Sequence, residues 1–118
     1  DASAAEIGTA DANTNALARE RILMAIGIVA KLNVAPGKEA AFEEVMLDLI
    51  AQVRANEPDN QLYTLCKDAT GRYVVMELYT DAAAIEAHGS SDHFRAAGKR
   101  FAGLMAGAPE IERMEVIG

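Results

Sequence analysis

The first candidates for chemistry are the two histidines of the chain, His88 and His93. An imidazole titrates near neutral pH and can accept a proton from a phenol, a hydroquinone or an enol. His88 is therefore a candidate general base, although it could equally form hydrogen bonds within a short helix and the neighbouring strand. His93 could carry protons at the mouth of a pocket, and a solvent-facing position at the start of a helix is the simpler interpretation.

Glu77 and two tyrosines could complete such a site. Glu77 interrupts an apolar strand pattern, where a carboxylate needs a partner or a raised pKa. It could orient His88, accept a structural hydrogen bond that joins the strand to a helix, or pair with an arginine. The hydroxyls of Tyr63 and Tyr79 could reach a substrate oxygen or serve packing alone. The candidate catalytic residues are His88, Glu77 and Tyr79.

Nearby residues could bind a substrate. Phe94 lies between His93 and Arg95 at the start of a predicted helix. Asn33, near the end of the first predicted strand, could hydrogen-bond a substrate or simply begin a turn. The candidate substrate-binding residues are Tyr63, Asn33, His93, Phe94 and Arg95.

Other chemistries have little support. His88 and His93 are poorly placed as metal ligands, with only Asp92 as a nearby carboxylate. Cys66 has no basic neighbour except Lys67, so we assign it no nucleophilic role. We therefore predict no metal site and no cofactor. The sequence contains no phosphate-binding loop, serine-nucleophile motif or dinucleotide fingerprint.

Composition and charge exclude several classes of partner. The chain has 118 residues, of which 51% are hydrophobic, and its 18 acidic and 11 basic residues give a formal charge of −7. This is the profile of one globular domain that repels nucleic acid and anionic lipid. The longest apolar run, residues 22–30, is about half of the roughly 20 residues that a membrane-spanning helix needs. We expect a cytoplasmic location, with export after leader cleavage left open.

Hydrophobic patterns predict the elements that must position these residues. Residues 26–34 are largely β-branched and predict a strand. A helical stripe from Phe42 to Val53 is the strongest periodic pattern, and Pro58 ends it. Residues 61–67 and 72–80 predict a hairpin with a turn at residues 68–71.

The second hairpin strand is apolar on both faces, unlike a strand with one solvent-facing side. The predicted helices can cover only one face of the sheet. A homodimer in which two sheets face each other is the economical way to cover the other. The alternating residues are Tyr73, Val75, Glu77 and Tyr79 on one face and Val74, Met76, Leu78 and Thr80 on the other.

Two helices and a final strand complete the prediction. Residues 82–87 predict a short helix, and a second begins at Ser90 or Ser91, continues to Met105 and ends before Gly107 and Pro109. Residues 110–117 predict the last strand. The order β-α-β-β-α-α-β is similar to a ferredoxin-like α+β sandwich with helices on one sheet face.

The start of the chain has few large apolar side chains, so residues 1–21 are predicted to be a flexible or partly helical tail. A short helix at residues 16–21 could pack Leu17 onto the body. Residues 22–118 form the predicted domain.

A set of residues spread along the chain forms a recognisable pattern: Asn33–Lys38, Phe42-Glu43, Glu57-Pro58, Tyr63, Glu77, Tyr79, Asp81, Ala84, His88, Ser91, His93 and Phe94. Its most specific part is the series from Glu77 to Phe94. The pattern resembles the antibiotic-biosynthesis monooxygenase (ABM) family of the dimeric α/β-barrel superfamily, and the resemblance extends from about Ile26 to Val116.

The resemblance implies a ferredoxin-like dimeric α/β barrel, with a four-stranded antiparallel sheet, helices on one face and a homodimer formed by facing sheets. It also identifies a departure from the haem-degrading members. Gly98 stands where those members carry an iron-binding histidine, and no tryptophan lies near His88. Haem degradation is therefore not expected.

The implied activity is oxidation of a small phenolic or quinol-like molecule by molecular oxygen without a cofactor, with His88 taking the substrate proton. The resulting electron-rich anion can pass one electron to oxygen. Two alternatives stay open: an isomerase of a small hydroxyketone and a dimer that only binds a small ligand. A phosphorylated substrate would need a basic cluster, and the one compact cluster is Arg95, Lys99 and Arg100.

Overall fold

An antiparallel sheet with helices on one face forms the body of the chain in a computed structural model, which describes residues 16–20 and 24–118. The sheet order is β2-β3-β1-β4, and every pairing is antiparallel. The predicted ferredoxin-like α+β fold is confirmed. In chain order the elements are β1 (Ile26–Leu32), α1 (Glu39–Asn56), β2 (Asn60–Lys67), β3 (Tyr73–Tyr79), α2 (Ala82–Ser90), α3 (Asp92–Arg100) and β4 (Glu110–Glu115).

The apolar stripe of α1 forms the centre of the core. Its side chains at intervals of three and four residues are buried against the sheet, and Phe42 and Val53 have no exposed surface. The Phe42 ring centroid lies 4.8 Å from that of Tyr73 and 5.6 Å from that of Phe101. Since proline cannot continue a helix, Pro58 stops α1 and leaves Glu57 at its C-cap.

The hairpin between β2 and β3 forms as the turn residues predict. The Asp68 carboxylate accepts hydrogen bonds from the backbone N–H of Thr70 at 2.9 Å and of Arg72 at 3.0 Å. Gly71 has a φ of +87°, which favours glycine. This turn sets the register in which Tyr63 is opposite Glu77.

The helix that begins after Ser91 is shorter than predicted. It ends at Arg100 instead of continuing to Met105. Gly103 takes a φ of +79°, and the chain turns back so that the Ala35 N–H donates to the Leu104 carbonyl at 2.8 Å. These bonds to the segment after β1 replace the last turn of the predicted helix.

The sheet face away from the helices has no cover from the described residues. Three of its apolar side chains are well exposed: Met76 at 42%, Met114 at 41% and Leu62 at 39%. These side chains are exposed because alternate positions of each strand point away from the helices. On this face lie Val29, Leu62, Thr64, Cys66, Val74, Met76, Leu78 and Met114.

The described part of the predicted tail, residues 16–20, is helical and exposed. Leu17 is 62% exposed, so the predicted packing of this side chain onto the body is wrong. The rest of the predicted tail, residues 1–15 and 21, lies outside the described residues, as do residues 22 and 23 of the predicted domain. Within residues 16–20 and 24–118, no helix combines the length and apolarity needed to cross a membrane.

Candidate active site

A cavity of about 420 Å³ lies between the sheet and the helices. This volume is within the range of about 300–1,000 Å³ that is usual for small-molecule sites. Aliphatic and aromatic side chains from every layer of the fold make up most of its wall. Its polar side chains are those of Tyr63, Glu77, Tyr79 and His88, and the described lining residues include no lysine or arginine.

The sheet register brings three of these polar side chains together. Glu77 on β3 pairs with Ile28 on β1 and with Tyr63 on β2, so all three face the helices. Tyr79 is two residues further along β3 and therefore shares this face. Its hydroxyl donates a hydrogen bond of 2.6 Å to Glu77 Oε1.

Burial controls the protonation of this group. It raises the pKa of Glu77, an effect partly offset by the hydrogen bond from Tyr79 and by the charge of His88. Burial also raises the pKa of Tyr63 and of Tyr79, and the hydrogen bond to Glu77 adds to the effect at Tyr79. Both tyrosines therefore keep their protons at neutral pH and act as hydrogen-bond donors.

His88 enters the cavity wall from α2, whose start is fixed by Asp81. The Asp81 side chain accepts the Ala84 N–H at 2.9 Å and so caps the helix. His88 is 6% exposed, and its ring centroid lies 5.1 Å from that of Tyr63 and 4.8 Å from that of Phe94.

Glu57 is the residue that holds His88. Nδ1 of His88 lies 2.8 Å from Oε2 and 3.1 Å from Oε1 of this carboxylate. Among the described residues, Glu77 makes no hydrogen bond to His88 and bonds Tyr79 instead. Because Nδ1 is occupied, Nε2 is the ring nitrogen left for the cavity. The sequence analysis gives Glu57 no role, and the available signal is that Glu57-Pro58 belongs to the residues that carry the family resemblance.

His93 contacts the same carboxylate. Its Nε2 lies 2.5 Å from Glu57 Oε2, so both histidines of the chain contact one carboxylate. His93 lines an outer groove between α1 and α3 and does not line the cavity. The donor atoms of Glu57, His88 and His93 all lie within 4.8 Å of one another, close enough to hold a metal ion.

The other predicted substrate-binding residues divide between the cavity and the surface. Phe94 lines the cavity, whereas Arg95 is exposed and lies outside the wall. Asn33 also lies outside the wall. Its side chain donates to the Ala108 carbonyl at 3.1 Å and accepts from Arg72 at 3.1 Å, so it joins the chain segments that follow β1 and precede β4.

Comparisons with known proteins agree with this architecture. The family model for antibiotic biosynthesis monooxygenases matches residues 25–100. A solved Caulobacter crescentus structure, provisionally assigned to the same class, is 44% identical, with a TM-score of 0.78, over 84% of this chain and 95% of that one.

More distant structures share the fold. A conserved protein from Methanosarcina mazei matches with a TM-score of 0.75 at 22% identity, over 82% of this chain and 97% of that one. A Pseudomonas aeruginosa protein matches with a TM-score of 0.72 at 24% identity, over 80% and 96%. No curated protein matches. From the family model and the Caulobacter relative, the chain belongs to the antibiotic biosynthesis monooxygenase family.

Proposed function

We propose that this protein is a monooxygenase that uses molecular oxygen, without a cofactor, to oxidise a small phenolic or quinol-like molecule. The observation that carries the proposal is the placement of His88. Glu57 occupies Nδ1, which leaves Nε2 to accept a proton in an apolar cavity. Family membership supports the same class of reaction.

The proposed reaction begins when a substrate hydroxyl loses its proton to His88 Nε2. The phenolate then passes one electron to oxygen, giving a substrate radical and superoxide. These two combine to form a carbon–oxygen bond at a carbon that still carries a hydrogen, giving a peroxide anion. His88 returns its proton to the distal oxygen of this anion, which gives a hydroperoxide. The hydroperoxide then loses that oxygen together with the hydrogen of the same carbon as water, so one oxygen atom stays in the quinone product and the other leaves as water.

The other polar groups of the cavity would bind the substrate. Tyr63 and Tyr79 keep their protons and can donate hydrogen bonds to a substrate oxygen. Glu77 accepts from Tyr79 and fixes the direction of that hydroxyl. The mostly apolar wall would limit contact of the bound phenolate with water and so its protonation by solvent.

The charge of the site favours an uncharged substrate. The compact basic cluster of α3 does not reach the cavity, since Arg95, Lys99 and Arg100 are exposed and absent from its wall. Arg100 is paired with Asp48 at 2.8 Å. A phosphorylated hydroxyketone would therefore enter an apolar cavity without a cationic partner, which disfavours this form of the isomerase alternative.

We also propose that two copies pair through the uncovered sheet face. Apolar side chains from β2, β3 and β4 are exposed there, namely Leu62, Met76 and Met114. A patch of this kind is costly on a monomer and typical of an interface. Light scattering at micromolar concentration should give the mass of two chains, and Met76→Glu should shift it towards one. A wild-type monomer would contradict this proposal.

Oxygen uptake with a panel of hydroquinones and anthrone-like phenols tests the activity. Wild type should consume oxygen in the presence of a chelator. His88→Gln keeps a donor for Glu57 but lacks the base, and should lose turnover. Glu86→Gln, an exposed change on the same helix, should keep it. Anaerobic product formation would instead indicate an isomerase, and ligand binding without turnover would indicate a binding protein.

A further inference from the structure

We propose that Glu57, His88 and His93 form a binding site for a divalent transition-metal ion such as Zn²⁺ or Co²⁺. The three residues come from the C-cap of α1, from α2 and from α3. His88 Nδ1 and His93 Nε2 lie 2.8 and 2.5 Å from the same carboxylate oxygen. Three separate elements thus place two imidazoles and one carboxylate around a single point.

The donor set selects the class of ion. Two imidazole nitrogens and a carboxylate oxygen are typical ligands of zinc, cobalt and other first-row transition metals. Calcium and magnesium prefer sets made entirely of oxygen. Three protein ligands leave a fourth position for water.

The charge of the cluster also favours a cation. The Glu57 side chain is 9% exposed, and within the described residues its ionic partners are the two histidines, with no lysine or arginine among them. A buried carboxylate is costly without a compensating charge. That charge can be a proton shared with the imidazoles or, in its place, a metal ion.

The distances require only a small rearrangement. Ligand atoms bound tetrahedrally at roughly 2.0–2.1 Å lie about 3.3 Å apart. The nitrogen–oxygen distances of 2.8 and 2.5 Å are those of hydrogen bonds. Metal binding would therefore lengthen each nitrogen–oxygen distance by less than about 1 Å, and the two imidazole nitrogens, which lie within 4.8 Å of each other, would move to about 3.3 Å.

The ion would arrive from outside the cavity. His93 lines the groove between α1 and α3 together with Gln52, Asn56, Asp92 and Arg100. His88 lines the cavity, which His93 does not. The metal site and the proposed substrate site therefore share His88, and His93 connects the metal site to the groove.

A bound ion would change the chemistry of His88. A metal on Nδ1 leaves the ring proton on Nε2, which can then no longer accept a proton from a substrate. The ion would therefore inhibit oxygen uptake. This consequence rests on the proposed function, whereas metal binding itself does not.

Titration with Co²⁺ after removal of bound metal by a chelator tests the site. We expect visible Co²⁺ absorption that saturates at one ion per chain and is displaced by Zn²⁺. Glu57→Gln and His93→Gln should abolish it while retaining the native circular dichroism spectrum. Asp92→Asn, in the same groove, and Glu86→Gln should leave it unchanged. Failure to bind one ion, or full binding by Glu57→Gln, would overturn the proposal.

Oxygen uptake separates the two proposals. If both hold, Zn²⁺ suppresses the turnover of wild type but not the residual turnover of His93→Gln. Stoichiometric Co²⁺ binding by a protein without oxygenase activity would overturn the proposed function and support the metal site. Oxygen uptake by a protein that binds no metal ion would support the proposed function and overturn the metal site.

Discussion

Replacement of Glu57 by alanine tests whether this carboxylate holds the proposed site together. The change removes the acceptor of both imidazoles, whose side chains are only 8% and 14% exposed. Each buried donor left without a partner costs about 1–3 kcal/mol, so the two imidazole N–H groups together cost about 2–6 kcal/mol. We therefore expect Glu57→Ala to lower the free energy of unfolding by about 2–6 kcal/mol. Glu57→Gln keeps one acceptor oxygen and should cost roughly half as much.

Urea unfolding followed by circular dichroism measures this cost, with chelator present so that no metal ion contributes. The matched control is Glu86→Ala, which removes an exposed carboxylate from α2 and should change stability by less than about 0.5 kcal/mol. A loss below about 1 kcal/mol for Glu57→Ala would refute the reasoning. It would mean that water or another group satisfies both imidazoles.

Three further predictions concern the cavity wall and the helix that carries His88. Burial raises the pKa of Glu77, so its stabilising protonated form is fully present below about pH 4.3 and is lost as the pH rises through the folded-state pKa. The stability of Glu77→Gln relative to wild type should therefore grow with pH in urea unfolding, and a constant difference would contradict this. Phe42→Ala should cost about 3–5 kcal/mol in the same assay, whereas Leu47→Ala, at a side chain 60% exposed, should cost far less. Asp81→Ala removes the cap of α2 and should cost about 1 kcal/mol, seen as a lower melting temperature; an unchanged melting temperature would show that the cap is dispensable.

The elements of the fold follow from local patterns in the sequence. The stripe from Phe42 to Val53 predicts a helix and its buried face without any tertiary information. Alternation along β3 places Glu77 and Tyr79 on one face, but the hydrogen bond between them was not among the partners predicted for Glu77. The end of α3 could not be predicted, because Gly103 and the backbone bonds to the segment after β1 depend on a distant part of the chain.

The contacts of Glu57 could not be predicted in this way. Its partners His88 and His93 are 31 and 36 residues away, and the docking of three helix ends brings them together. From sequence, an acidic residue just before a proline is an ordinary solvent-facing end of a helix. Arg95, in contrast, was predicted to bind substrate and lies outside the cavity wall. It directly follows Phe94, but adjacent residues of a helix point in different directions, and only Phe94 faces the cavity.

Oxygen consumption by purified protein tests the central claim most directly. We expect chelator-resistant uptake with a hydroquinone or anthrone-like phenol by wild type and by Glu86→Gln, with one atom of labelled oxygen in the quinone product. His88→Gln should consume no oxygen. Equal uptake by wild type and His88→Gln would contradict the role of His88, and no uptake with any member of the panel would contradict the proposed oxygenase.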